Sequence, residues 1–453
     1  MCKHKIDKNN YLSAFSLIFD FAMINIIIKN TIGEARRRGD ATWSIDKAEF
    51  LAFLGILIIR GATTASKFDL EMLWNKKWGL PIVSNTISPN RFCSIMRYLR
   101  FDDKSQRKEN LKSDKFGMVS QLWNQLFENS QSVYIPEQNL TVDEQLLPCK
   151  VRCPFVIFMG SKPDKYGIKF WILCEVESNY ILNGFPYLGK EEREEPLGKY
   201  VVMNLLKPYI RKGYNVTTDN FFTSKALAEE LLKVDTTIVG TMRRSRKELP
   251  CLIQNLEKTM ELYKTEAFEM SDKPVSLIVS KGKKKKVVPL LSTLHDDCKI
   301  IENAKKIPEA IAFYNTTKTG VDIMDAMTRK YTTKASTRRW PVTVFYNVLD
   351  ISIINSWNLY KKCEASSITR QSFMLELGEQ LCSLYKQAIQ PKSPICASIP
   401  QPSSKRRNCQ VSQHHNKTNT CCRSCGRLCC GVCTAKKETV ATCIHCCEDK
   451  FMS

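Results

Sequence analysis

Residues 215–224 read NVTTDNFFTS, and KALAEELLKV follows at 225–234. Val216, Thr217 and Thr218 form a β-branched run that suits a strand. The run ends on Asp219, and helical spacing begins a few residues later, with Thr223 or Ser224 as the N-cap. An acid at the carboxyl end of a core strand lies on the rim of the sheet, where α/β folds place their chemistry. Alternatively, Asp219 simply begins a turn. Two other acidic stretches favour the rim. TVDEQLL (141–147) alternates like a strand and carries Asp143, and KTGVDIMDAM (318–327) carries Asp322 and Asp325. Three residues apart on a helix, those two carboxylates share a face with Cβ atoms about 5–6 Å apart. They repel unless a cation lies between them; the alternative is an acidic first turn at the positive end of the helix dipole.

The chain has 453 residues, 43% hydrophobic and 25% charged, with a formal charge of +22. That length supports two or three cores, and that composition is of a folded protein. The positive excess favours a polyanion, most often nucleic acid, over a membrane surface. The run LAFLGILII (51–59) is far short of the roughly 20 residues that a span needs. FSLIFDFAMINIII (15–28) is interrupted by Asp20 and lacks a cleavage pattern, so no signal peptide is expected. These features point to a cytosolic or nuclear protein. Ten of the 20 cysteines crowd between Cys409 and Cys447, many as CxxC pairs. In a reducing compartment that crowding reads as metal binding, not disulfides.

Residues 1 to about 135 read as helical, with apolar spacing over Ala14–Ile28, Phe50–Ile59 and Phe92–Leu99 and with Asp46 and Ser88 as caps. Trp43, Trp74, Trp78 and Trp123 lie here, but no cluster of acids, histidines or cysteines does. From 139, NLTVDEQLL, FVIFMG, YGIKFWILCEV and YILNGFPYL read as antiparallel strands. A helix over 201–210, the NVTTDNFF strand, its helix, and the strand TTIVGTMR come next. This is the element order of an RNase H-like fold. Residues 246–309 break the pattern and read as an insertion. Its lysines Lys283, Lys284, Lys285 and Lys286 suit a solvated loop tip, a nuclear-import signal or a phosphate-binding patch. Arg338, Arg339, Trp340 and Pro341 lead into an apolar helix over 342–360. Arginines beside a tryptophan suit phosphate contact plus base stacking, or else Trp340 packs the helix entrance. The Pro- and Ser-rich residues 388–407 read as a linker.

If the fold gathers Asp143, Asp219 and Asp322, their oxygens make a hard site for Mg²⁺ or Mn²⁺. Such ions activate water or a 3′-hydroxyl for phosphodiester chemistry. No HExxH, GxSxG or Walker pattern competes for the assignment.

The motifs TVDEQLLP, SKPDKYGIK, TTDNFFTS, VGTMRRSRKELP, LLST, YNTTKTGVDIMD and RRWP stand in the order found in the piggyBac transposases, which the chain resembles over roughly 140–360. The resemblance implies an α/β protein with an RNase H-like catalytic core, interrupted by an insertion subdomain. A mainly helical dimerisation and DNA-binding domain would flank it, with a cysteine-rich zinc domain at the C-terminus. The corresponding boundaries are 1–138 and 333–387 for the helical domain, 139–245 and 310–332 for the core, 246–309 for the insertion, 388–407 for the linker and 408–450 for the zinc domain. The family's three catalytic, metal-holding acids fall on Asp143, Asp219 and Asp322, its nearby fourth acid falls on Asp325, and its RRWP tryptophan is Trp340. Members cut and paste DNA elements at TTAA targets through hairpin ends, with a divalent metal. The expected partners are duplex DNA carrying element terminal repeats and a second copy of the chain; the expected location is the nucleus, with no membrane association. The alternative is a host-retained DNA-binding protein without transposition activity. The sequence begins almost at its first helix, whereas the family usually carries an acidic, disordered N-terminal tail.

Cys422, Cys425, Cys430, Cys433, Cys443 and Cys446 form three CxxC pairs. A cross-braced pair of tetrahedral zinc sites needs eight ligands. Cys409 opens a preceding pair, but Ser412 stands where the family has the second cysteine, with His414 or His415 as candidate replacements. The resemblance assigns this region to terminal DNA. A RING-like protein-binding role has similar spacing.

Overall fold

The computed structural model describes residues 5–65, 68–160, 162–190, 192–254, 256–270, 273–295, 297–302, 305–389, 406–411, 416–420, 427–437 and 441–443. The chain divides into two compact units, Met1–Tyr385 and Lys386–Ser453.

The first unit is built on one mixed sheet. Its strands are β1 (Asn139–Pro148), β2 (Val156–Phe158), β3 (Tyr166–Glu175), β4 (Ile181–Pro186), β5 (Asn215–Thr218), β6 (Thr237–Thr241), β7 (Thr265–Met270), β8 (Lys273–Lys283) and β9 (Lys286–Ser292). They run in the order β2-β3-β1-β5-β6-β9-β8-β7, with β4 also on β3. β1 is antiparallel to β3 and parallel to β5, and β5 is parallel to β6. The strands of the 246–309 stretch continue this sheet, because β9 pairs with β6 through Val239↔Ser292.

The strand–helix reading of 215–234 has a local cause. The Asp219 carboxylate accepts from Phe221 N at 2.9 Å, which turns the chain off β5. Ser224 then accepts from Leu227 N at 3.2 Å and caps the helix Lys225–Leu232. Asp46 and Ser88 cap their helices through Glu49 N and Arg91 N. The apolar stretch 14–28 is two helices, Tyr11–Ile18 and Phe21–Arg37, because Asp20 ends one and caps the next. No single helix among the described residues is long and apolar enough to cross a membrane; this pair, bent by 71°, passes by length and composition only when taken together.

The helices before and after the sheet pack into one core. Tyr11 meets Tyr360 and Phe373 at ring distances of 4.9 and 5.5 Å. The helix Trp340–Glu364 is buried along nearly its whole length.

Candidate active site and cysteine cluster

Strand alternation sets the first two acids. Side chains two apart on a strand share a face. Thr141 pairs in register with Thr217, and the ladder between β1 and β5 ends at Val142↔Thr218. Asp143 and Asp219 each follow that last pair. The Thr217 hydroxyl donates to Thr317 Oγ1 at 2.8 Å, so this face looks toward the helix Glu309–Thr317. A Cβ on Gly320 would lie 2.4 Å from Thr141 Cγ2, so the next helix, Gly320–Lys330, begins hard against the same face. Gln145, two residues past Asp143, donates to Thr328 Oγ1 and Asn347 Oδ1, both at 3.3 Å. Asp143, Asp219 and the Asp322 helix therefore meet at one rim.

Their electrostatics differ. Burial, helped by Glu144 and Asp219, pushes the Asp143 carboxyl up to about 8. Burial also raises Asp219, against the lowering effect of the Phe221 and Phe222 amides. The Asp322 side chain is 64% exposed, and Lys162 Nζ lies 3.7 Å from its Oδ1. Asp325 turns inward. Its side chain is only 13% exposed and pairs with Arg329 at 3.1 Å, so the two helical acids do not act as one open pair. Among the described residues, no three carboxylates bring oxygens within 4.8 Å of one another. The donor set is nonetheless all oxygen, and the crowding of Asp143 with Glu144 and Asp219 favours an added cation.

Sequence reasoning missed the cations of this rim. Lys169 Nζ lies 3.9 Å from Glu144 Oε2 and 3.7 Å above the Trp171 ring. Arg243 donates to Asn220 Oδ1 at 3.1 Å. Lys162 and Lys169 lie within SKPDKYGIK, so the motif held the signal, but spacing alone gives no sign of where a lysine on a hairpin reaches.

The RRWP junction needs a correction. Trp340 is 7% exposed, with its ring 5.9 Å from Phe116 and 5.0 Å from Phe155. An indole packed this way has no free face for a base. Arg339 donates to the Leu99 and Met96 carbonyls at 2.8 and 2.5 Å, and burial lowers its pKa to about 10. Both side chains fasten the entrance of the long helix to the N-terminal helices; Arg338 alone of the three is exposed. Lys283, Lys284, Lys285 and Lys286 lie exposed at the β8–β9 turn.

In the second unit, Cys409, Cys430 and Cys433 are buried with sulfurs mutually within 4.8 Å. Cys430 N donates to Cys409 Sγ at 3.4 Å. A cluster of three sulfurs near one amide fits a thiolate–zinc centre. Ser412, His414, His415, Cys422, Cys425 and Cys446, and the side chain of Cys443, lie outside the described residues, as does most of the 388–407 linker.

A family model described as Transposase IS4 matches residues 12–357. Human PiggyBac transposable element-derived protein 3 is 26% identical over 370 residues, which is 76% of this chain and 60% of that protein. The human Chimeric ERCC6-PGBD3 protein is also 26% identical over 370 residues, 76% of this chain and 34% of that protein. The chain thus spans less than two thirds of either human relative. A piggyBac transposase chain, solved by cryo-electron microscopy in a synaptic complex with hairpin DNA, aligns with a TM-score of 0.80 and 29% identity, over 97% of this chain and 98% of that one. With a family model matched over 12–357 and a fold shared over 97% of its length with a piggyBac transposase, the chain belongs to the transposase IS4 family, among the piggyBac transposases and the proteins derived from them.

Proposed function

We propose that the protein is a metal-dependent DNA transposase that cuts and pastes an element at TTAA targets. The observation that carries this is the placement of Asp143 and Asp219 just past the last rung of two parallel central strands, with the Asp322 helix packed on the same face. We take the order β4-β3-β1-β5-β6 as an RNase H-like core and the strands β7–β9 as its insertion. Asp143, Asp219 and Asp322 would hold Mg²⁺ or Mn²⁺, which supplies charge stabilisation and an activated oxygen nucleophile. Lys169 and Arg243, beside those acids, are suited to phosphate oxygens. The DNA surface includes the lysines 283–286 and Arg338, but not the inward-facing Arg339 and Trp340. Assembly as a homodimer, action in the nucleus, and a zinc-bound C-terminal unit that reads terminal-repeat DNA complete the reading.

The test is metal-dependent nicking. Purified protein is mixed with Mg²⁺ and duplexes carrying the flanking terminal repeats next to TTAA, beside the Asp219→Asn variant. Nicking by the wild type and not by the variant is expected. Binding without cutting would instead identify a host-retained DNA-binding protein, a reading favoured by the element-derived names of the human relatives. Affinity should also fall steeply with salt, because phosphate neutralisation releases counterions. A flat salt response would contradict nucleic-acid binding altogether.

A further inference from the structure

The hairpin between β2 and β3 leans its tip onto the Asp322 helix. That helix starts without a side-chain cap at Thr319, and Asp322 stands in its first turn, where the helix's own hydrogen bonds hold the chain least. Its position must therefore come from outside. Lys162 Nζ, from the hairpin tip, lies 3.7 Å from Asp322 Oδ1 and donates to the Glu144 carbonyl at 3.3 Å, bridging helix and β1. Two residues on, Asp164 Oδ2 receives Arg329 Nη1 at 2.5 Å. Arg329 carries the contact inward: its Nη2 donates to the Leu146 carbonyl at 3.1 Å, and its Nε donates to Asp325 Oδ2 at 3.2 Å. A lone exposed ion pair contributes little. Here the pairs are linked, joining hairpin, β1 and helix through the partly covered Lys162, Arg329 and Asp325, which makes the arrangement collective.

We propose that the β2–β3 hairpin tip positions the third carboxylate, through Lys162 directly and through the chain Asp164–Arg329–Asp325, with Asp325 acting as a positioning residue and not as a metal ligand. The proposal rests on the metal-dependent reading above. Asp325 engages Arg329 and is almost covered, whereas Asp322 keeps a largely exposed carboxylate, on the helix that starts against the same face of β1 as Asp143. Two acids three residues apart on one helix thus divide the work. One reaches the rim, and the other anchors the turn that presents it.

Mn²⁺ binding to the full chain, followed by electron paramagnetic resonance, separates the roles without relying on turnover. Asp322→Asn should abolish binding at the rim. Asp325→Asn, Asp164→Asn and Lys162→Gln should each weaken it about tenfold, the usual effect of losing support behind a ligand. Asp164→Asn combined with Asp325→Asn should be no worse than the more damaging single change, because both act along one chain. Loss of binding in Asp325→Asn equal to that in Asp322→Asn would overturn the proposal, as would an Asp164→Asn variant that binds like the wild type. If Asp325→Asn does not fold, Asp164→Asn and Lys162→Gln decide the matter alone. A wild type that binds Mn²⁺ with this pattern but never nicks DNA would uphold the positioning role and overturn the enzymatic reading. A wild type that binds no Mn²⁺ would overturn the positioning role itself.

Discussion

At Asp143 the demands of folding oppose those of the metal-holding role proposed above. Burial, with Glu144 and Asp219 nearby, holds its carboxyl near 8, about four units above the unfolded value. A raised folded pKa stabilises the protein fully below about pH 4, and that stability is lost as pH rises toward 8. The metal-free protein should therefore become less stable from pH 5 to pH 8, by on the order of 1 kcal/mol per unit where the group titrates. Asp143→Asn should flatten much of that slope and melt higher than the wild type at pH 8 in chelator. A comparable slope, ending near pH 7, should remain from buried Asp350, which is pushed up to about 7 by burial. Thermal melts of both proteins across that range are the check; equal slopes would move the effect away from Asp143. Trp340 makes the opposite kind of case, a residue whose sequence context suggested DNA and whose surroundings are aromatic core. Trp340→Ala should cost about 3–5 kcal/mol in melting experiments. Trp340→Phe, measured below its transition, should bind DNA as the wild type does. A selective loss of DNA affinity in the Phe variant would restore base stacking.

Among the elements, the join between the Asp322 helix and β1 is the most sensitive. Gly320 lets the helix start within contact of Thr141, where a Cβ would stand 2.4 Å from a β-branched side chain. Such a side chain is stiff and cannot step aside cheaply. Gly320→Ala should push the helix outward, weaken Mn²⁺ binding by about tenfold or more, and cost about 1–3 kcal/mol of stability. Paired with Thr141→Ser, which removes the obstructing methyl, it should recover much of the loss. Failure of that rescue would show that the contact does not set the position of the helix. The sequence displayed β1, β3, β5, β6 and a cap at Thr223 or Ser224, of which the structure uses Ser224, because alternation, β-branching and capping are local. It placed Asp143 and Asp219 on strands, and their shared rim follows from a parallel register that no single segment carries. It hid the inward turn of Asp325, since helical spacing fixes which residues share a face but not which neighbour, here Arg329, claims one of them. Strand β7 escaped notice for a similar reason. TEAFEM has only weak alternation, and its pairing with β8 supplies what its own residues lack.

At the scale of the whole molecule, the two units are held by different forces. The first buries a large apolar core around its sheet. The second gathers Cys409, Cys429, Cys430 and Cys433 as the heart of its own small cluster, with Val411 packed beside them. Among the described residues so little apolar area gathers here that, on the zinc-bound reading proposed above, metal would supply most of the unit's folding energy. The sulfurs that meet, those of Cys409, Cys430 and Cys433, come from the residue that opens the first pair and from the third pair of the sequence. Alternation of this kind is the ligand order of a cross-braced domain; consecutive fingers would join neighbouring pairs. Two zinc ions per chain are then expected in the wild type. Cys409→Ser and Cys433→Ser should each lose one and the same ion. Cys422→Ser and Cys446→Ser should lose the other, and a Cys409→Ser/Cys422→Ser double variant should lose both. Metal content by atomic spectroscopy, with a cobalt-substituted form to follow thiolate coordination, reads the outcome directly. If the double variant still retained one ion, the pairs would be joined in sequence order, and the meeting of Cys409 with Cys430 and Cys433 would not define a metal site.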